Sequence, residues 1–302
     1  MAQVPWHQLM PIQKKPYEMP FWYSSLQSFW LYYPARRDQV EALLPDDLPT
    51  GHGLRLAEFD DLPDRALVSL DFQAYTSGGN NYLGFTHEVE FNVYVYPESR
   101  LPAVPLMSVR DYLLGRDQTK TIGGFRLHVP CDNPNAVAAG KQNFGEPKWL
   151  AAFDYSMPSL NNGGGTEWQY GVYAAPPPST QPGPPPPLDP SSMIFHIKAE
   201  LGHLTPEPSN LSPLIEYGNR TLDGKDVVAA NYWNFFGWFD TYFLSEEEGR
   251  RVDLTMGPHI DHERLHEDVR TVIGTQAPLA AQTFTSPPVS SESQAWLECP
   301  DD

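Results

Sequence analysis

The sequence predicts a β-rich, mainly antiparallel fold with a few peripheral helices. Three observations carry this. Residues 66–75 (ALVSLDFQAY) and 85–96 (FTHEVEFNVYVY) alternate apolar and polar side chains, the period of a strand. Further short runs at 21–33, 123–129, 149–155, 167–174 and 193–201 are rich in aromatic and β-branched residues, which suit a pleated sheet. Helical patterns are confined to short pieces between them.

The chain has 302 residues, enough for one large β-rich domain or two smaller ones. Its hydrophobic content of 40% supplies the side chains for a sizeable core. The formal net charge of −18 repels nucleic-acid phosphates and anionic membranes, so neither is expected as a partner. Cys131 and Cys299 make no disulfide framework, and a reduced, cytoplasmic setting follows as the expectation. The first 20 residues hold no continuous apolar stretch and are read as an extended arm rather than a signal peptide. No run of about 18 apolar residues predicts a membrane span. The organisation expected is an arm over 1–20, a single catalytic domain over 21–277, and a loosely held tail over 278–302. Self-association is left open.

In order, residues 21–33 fit a strand, and 38–44 a short helix stopped by Pro45. After the strand at 66–75, Ser77-Gly78-Gly79-Asn80-Asn81 is a turn by composition. On the strand at 85–96, Glu88, Glu90 and Asn92 share one face, and Val89, Phe91, Val93 and Val95 the other. If the apolar face meets the core, the Glu88 face lines a polar cavity or solvent. Helical turns are expected at 108–114 and 135–139, with a strand at 123–129 and a turn at 131–134 between them. Gly163-Gly164-Gly165 breaks the chain. The proline-rich loop at 175–190 cannot pair in a sheet. Residues 229–244 (AANYWNFFGWFDTYFL) are the most aromatic part, with Trp233, Phe236 and Tyr242 near helical spacing. Beyond 278 the composition turns to Ser, Thr, Gln and Pro.

The segment around Phe144-Gly145-Glu146-Pro147-Lys148 organises the rest. Gly145 permits backbone angles closed to other residues, and Pro147 biases Glu146 toward extended geometry. A stiff turn thus delivers Lys148 to the start of an apolar strand. A lysine moved out of water loses proton affinity and becomes a usable amine nucleophile.

This segment resembles the acetoacetate decarboxylase family. The family signature is Gly-Arg-Glu, then aromatic-Gly-aromatic-Pro-Lys-Lys. Here it stands as Gly140-Lys141-Gln142, then Phe144-Gly145-Glu146-Pro147-Lys148-Trp149. The strand Glu88-Val89-Glu90-Phe91-Asn92-Val93-Tyr94-Val95 is similar to the family's second motif. Tyr33 followed by Val40-Glu41-Ala42-Leu43-Leu44-Pro45 resembles its first. The likeness covers roughly residues 20 to 160 well and the C-terminal half poorly. It implies a barrel-like sheet, Lys148 as the Schiff-base residue and Glu88 as its acid/base partner. It also implies a small-molecule carbonyl substrate and no cofactor. Phe144, Glu146, Trp149 and Phe91 are the substrate-contacting candidates.

Departures shape the expectation. The family's second lysine is Trp149 here, so burial alone would have to depress the Lys148 pKa. The arginine that the family carries before its first tyrosine is replaced by Leu26-Gln27-Ser28-Phe29, with no cation. The expected chemistry is therefore an imine-forming lyase, decarboxylase-like, with retro-aldol cleavage, dehydration and cyclisation also open. Two alternatives stand beside it. One is a non-catalytic barrel that binds an apolar small molecule. The other is a zinc hydrolase built on His262-Glu263-Arg264-Leu265-His266, whose third ligand would come from Glu292 or Glu298. The charged flanks of that motif favour a solvated first helical turn without metal.

Overall fold

The computed structural model describes residues 20–44, 53–78, 84–158, 165–176, 187–222, 225–286 and 290–298. The expected arm, most of the glycine breaks, the middle of the proline-rich loop and Cys299 lie outside these residues. Strands β1 (Phe21–Arg36), β3 (Arg65–Gly78), β4 (Gly84–Pro97), β5 (Gly123–Cys131), β10 (Leu214–Leu222), β11 (Lys225–Phe235) and β15 (Ser290–Glu298) pair in succession, and β15 returns to β1. The ring is a closed barrel, which leaves these strands no open edge. Its pairings are antiparallel except β5 with β10.

Two strands fork. The first half of β5 pairs with β10, while Val129–Cys131 runs parallel to β6 (Lys148–Ser156). From β6 a wing continues through β7 (Glu167–Ala174), β8 (Met193–Glu200) and β13 (Asp253–Met256). Likewise β1 gives Phe21–Tyr23 to β15 and Leu26–Tyr32 to β14 (Ala280–Ser286). That second wing carries on through β12 (Phe239–Phe243) to β9 (Glu207–Ser209), and β2 (Leu54–Leu56) adds to the far end of β4. The helices α1 (Arg37–Glu41), α2 (Val109–Leu113), α3 (Pro134–Ala139), α4 (Glu246–Gly249) and α5 (Leu265–Val272) are short. Among the described residues no helix is long and apolar enough to cross a membrane.

The alternation on β3 and β4 decides where the site sits. Leu70, Phe72, Val89, Phe91 and Val93 face outward and pack against Tyr170, Val172 and Phe195 of the first wing and Leu265 and Val269 of α5. The opposite faces carry Ser69, Asp71, Gln73 and Tyr75 on β3 and Glu88, Glu90, Asn92 and Tyr94 on β4, and all eight are buried. They point into the barrel. Tyr23 of β1 stacks on Trp233 of β11 with centroids 4.9 Å apart, although β15 lies between those strands, so the rings meet across the interior. Polar and ionisable side chains thus fill the space that apolar ones usually occupy.

Two expectations and one of the alternatives are corrected. Residues 229–244 form no helix. They are the end of β11 and all of β12, joined across Gly237, where a side chain would press on the Phe284 ring. Trp233 and Phe235, two apart, both turn inward, which is strand period rather than helix period. Among the described residues, the tail beyond 278 is not loosely held. Ala280–Ser286 is buried between β1 and β12, and β15 closes the barrel. Polar composition misled there because Gln282 and Thr283 are buried and hydrogen-bonded rather than solvated. Finally, His262 and His266 do not share a helix. Arg264 is left-handed at φ 68° between them, and α5 starts only at Leu265. Asp261 caps that start by accepting from the Leu265 and His266 amides. His266 is hydrogen-bonded to the Gly257 carbonyl, and His262 is exposed.

Candidate active site

Asn133 caps α3 by accepting from the Asn135 and Ala136 amides, and Pro134 at the first turn needs no partner. The chain then widens into a π-turn over Gly140–Phe144, a geometry often found at functional sites. Gly145 ends it at φ 69°, packed so closely on Asn219 that a side chain there would strike the Asn219 carbonyl. Pro147 follows, and Lys148 is the first residue of β6. The turn therefore performs as the sequence predicts.

It delivers two side chains, not one. Lys148 Nζ lies 2.8 Å from Glu88 Oε2 and 2.9 Å from Glu146 Oε2, and all three residues are buried. Tyr75 also donates to Glu88 Oε2, at 3.1 Å. Arg126 of β5, 1% exposed, continues the cluster. Its guanidinium reaches Glu146 Oε1 at 2.6 Å, Glu90 Oε1 at 3.1 Å and Glu216 of β10. Glu90 accepts from Asn92, which also donates to Asp71. Five carboxyl groups thus share this cluster with two cations.

The charges set the proton positions. Burial works against the Lys148 ammonium, but Glu146 and Glu88 outweigh it and hold the amine well above its ordinary value. This corrects the expectation that burial would depress it, which had no carboxylate partners to weigh. Burial raises Glu88, Lys148 draws it back, and Glu90 and Glu146 add to the rise. Glu146 moves the other way. Burial would raise it, but Arg126 and Lys148 hold it below its ordinary value. Asp71 is pushed well up by burial and by Glu90. Since Lys148 and Tyr75 both donate to the same Glu88 oxygen, the resting arrangement is an ammonium beside carboxylates.

The free space beside Lys148 is small, about one water, and is walled by Phe21, Tyr23, Tyr75, Phe144 and Trp233. Gly140 makes the packing feasible. A Cβ there would lie 2.1 Å from Glu146 Oε2 and 2.5 Å from Lys148 Cδ.

Of the sequence candidates, Lys148, Glu88, Glu146 and Phe144 come together. Two do not. Phe91 faces the outer core, where it stacks near His128, because it alternates with Glu88 and Glu90. Trp149 follows Lys148 on the strand and so turns to that same outer core. Glu90 shares the Glu88 face as the alternation predicts, whereas Arg126, Glu216 and Tyr75 were missed. A charged residue inside the apolar run Phe125-Arg126-Leu127 was the available signal, as was Glu216 between Ile215 and Tyr217.

The fold is shared with solved structures. An acetoacetate decarboxylase matches with a TM-score of 0.56 at 12% identity, over 93% of this chain and 91% of that one. The enduracididine biosynthesis enzyme MppR, complexed with pyruvate, matches with 0.56 at 12% identity, over 94% and 91%. An acetoacetate decarboxylase-like enzyme from Sphingomonas wittichii RW1 matches with 0.54 at 14% identity, over 93% of each chain. No protein-family model matches the sequence, and no curated protein does. The chain has the acetoacetate decarboxylase-like fold.

Proposed function

We propose that this acetoacetate decarboxylase-like barrel is an imine-forming lyase that acts on a small carbonyl compound through Lys148. The observation that carries the reading is a single buried lysine, enclosed by aromatic rings and touching a carboxylate of raised proton affinity. The solved structures of the same fold are enzymes, which agrees with it.

The resting ammonium is the obstacle, and Glu88 answers it. Lys148 passes one proton to Glu88 across 2.8 Å. The neutral amine attacks the carbonyl carbon, and a carbinolamine forms. Glu88 returns the proton to the carbinolamine hydroxyl, which leaves as water. The nitrogen is left as a protonated imine, and no proton is exchanged with solvent. That imine withdraws electrons from the adjacent carbon, the requirement shared by decarboxylation, retro-aldol cleavage and dehydration. Tyr75 steadies the Glu88 carboxylate by donating to it. The space available demands that the aromatic wall move to admit a substrate.

Borohydride reduction in the presence of an aromatic aldehyde should add mass at Lys148 in preference to the exposed lysines. Even labelling over all lysines would refute the imine. A second reading draws on the raised proton affinity of Lys148: a permanently charged anchor in a binding barrel. It predicts no adduct at Lys148 at any pH at which the fold survives.

A further inference from the structure

The charge balance of the chamber selects among carbonyl compounds. Among the described residues, the two cations that touch Glu146 are both engaged, and Arg220, on the same face of β10 as Glu216, donates to the Asn143 carbonyl and does not line the space beside the amine. Lys148 is shared between Glu88 and Glu146. Arg126 spends its guanidinium on Glu90, Glu146 and Glu216. The carboxyl groups of Glu88, Glu90, Glu146, Glu216 and Asp71 outnumber these two cations. The remaining wall is aromatic, with Phe21 tilted against Phe144 and Tyr23 between Tyr75 and Trp233.

A substrate carboxylate entering this space would lose its water, meet no cation in the lining other than the engaged Lys148, and stand beside Glu88 and Glu146. Burying an unpaired charge is among the costliest events a site can impose. An apolar body meets the opposite conditions, since the rings offer it contact area at no charge cost. Position does not rescue the anion. Ser28, inside the barrel on β1, is small and uncharged, and its neighbour Gln27 is bonded to the Pro158 carbonyl on the outer side.

We infer that the substrate is an aldehyde or ketone with an apolar body and no carboxylate, an inference that rests on the imine reading above. A compound without a carboxylate has no carbon dioxide to lose. Decarboxylation is thereby removed from the reactions open to the imine.

The test compares matched probes on the full chain. Benzaldehyde and 4-carboxybenzaldehyde are each reduced onto the protein with cyanoborohydride, and the Lys148 peptide is quantified by mass. Adduct yields on free N-acetyl-lysine correct for intrinsic reactivity. The corrected yield at Lys148 should favour benzaldehyde by about tenfold or more. Equal yields would overturn the inference and leave the imine standing. Binding is read separately with benzyl alcohol and benzoate, which form no imine, by ligand-observed NMR. Tighter binding of benzyl alcohol supports the inference even if no adduct forms, in which case the imine reading alone fails. Benzoate bound as well as benzyl alcohol overturns it. In Glu146→Gln, which frees part of Arg126 without changing the side chain's size, 4-carboxybenzaldehyde should gain on benzaldehyde.

Discussion

Replacing Glu146 with glutamine should speed imine formation rather than slow it. The carboxylate lies 2.9 Å from the Lys148 nitrogen. With an effective dielectric of about 20, a unit charge at that distance stabilises the ammonium by roughly 6 kcal/mol. Removing it shifts the amine toward its neutral form at a given pH. Arg126 loses its 2.6 Å partner in the same step and repels the ammonium more strongly. Glu88 remains at 2.8 Å, and water drawn into the site recovers part of the loss. About 3 kcal/mol surviving these compensations would still accelerate attack at neutral pH roughly 100-fold. The assay follows the absorbance of the imine with an aromatic aldehyde between pH 6 and 11. In the parent, proton transfer within the Lys148–Glu88 pair should give a rate that does not vary with pH, and loss of the proton to solvent should add to it only above the 10.5 of an ordinary lysine, because the ammonium is favoured. In Glu146→Gln the rise should begin at lower pH. Circular dichroism checks the fold, which keeps Arg126 paired with Glu90 and Glu216. Superimposable profiles for the two proteins would refute the claim that Glu146 holds the proton on Lys148.

Gly140→Ala should damage stability and chemistry together, because its methyl group would collide with the Glu146 and Lys148 side chains that Arg126 and Glu88 hold in place. A loss of about 1–3 kcal/mol in urea unfolding is expected, with slower imine formation, and an unchanged protein would mean the chamber has slack. Ending the chain after residue 278 removes β14 and β15, which cover one edge of β1. That truncated chain should show no cooperative unfolding transition, and a sharp one would contradict the closed barrel.

Much of this was legible in the sequence. The strands at β3 and β4 fall where alternation put them, because both partners of each strand demand a fixed face, and β7 falls where its aromatic and β-branched composition put it. The turn from Gly140 to Lys148 was legible because glycine and proline act locally. The C-terminal strands were not. Gln282 looks like a surface residue, yet it donates to the Leu113 carbonyl and to Thr241 and accepts from Tyr32. Such a glutamine is stabilised by partners up to 250 residues away in sequence, which composition cannot see. The aromatic run at β11 and β12 failed for a different reason: rings also occupy the face that is not buried, as at Tyr232, Phe236 and Trp238, and this erases the periodicity that distinguishes strand from helix.

The proton affinity of Lys148 shows where local reasoning stops. From the sequence, Trp149 in place of a lysine left burial as the sole influence on the amine, and burial pushes it down. The barrel adds Glu88 from β4 and Glu146 from the turn, then braces Glu146 with Arg126 from β5. Each contact depends on β4, β5 and β6 lying side by side in the sheet, which no single stretch of sequence displays. Their sum reverses the sign. A lysine with a cationic neighbour is a ready nucleophile that must be kept dry, whereas Lys148 is a stored proton that needs an acceptor. The same carboxylates that store it exclude an anionic substrate. Substrate choice and amine activation are therefore one property of this chamber, and a variant that frees the amine by removing Glu146 should relax both at once.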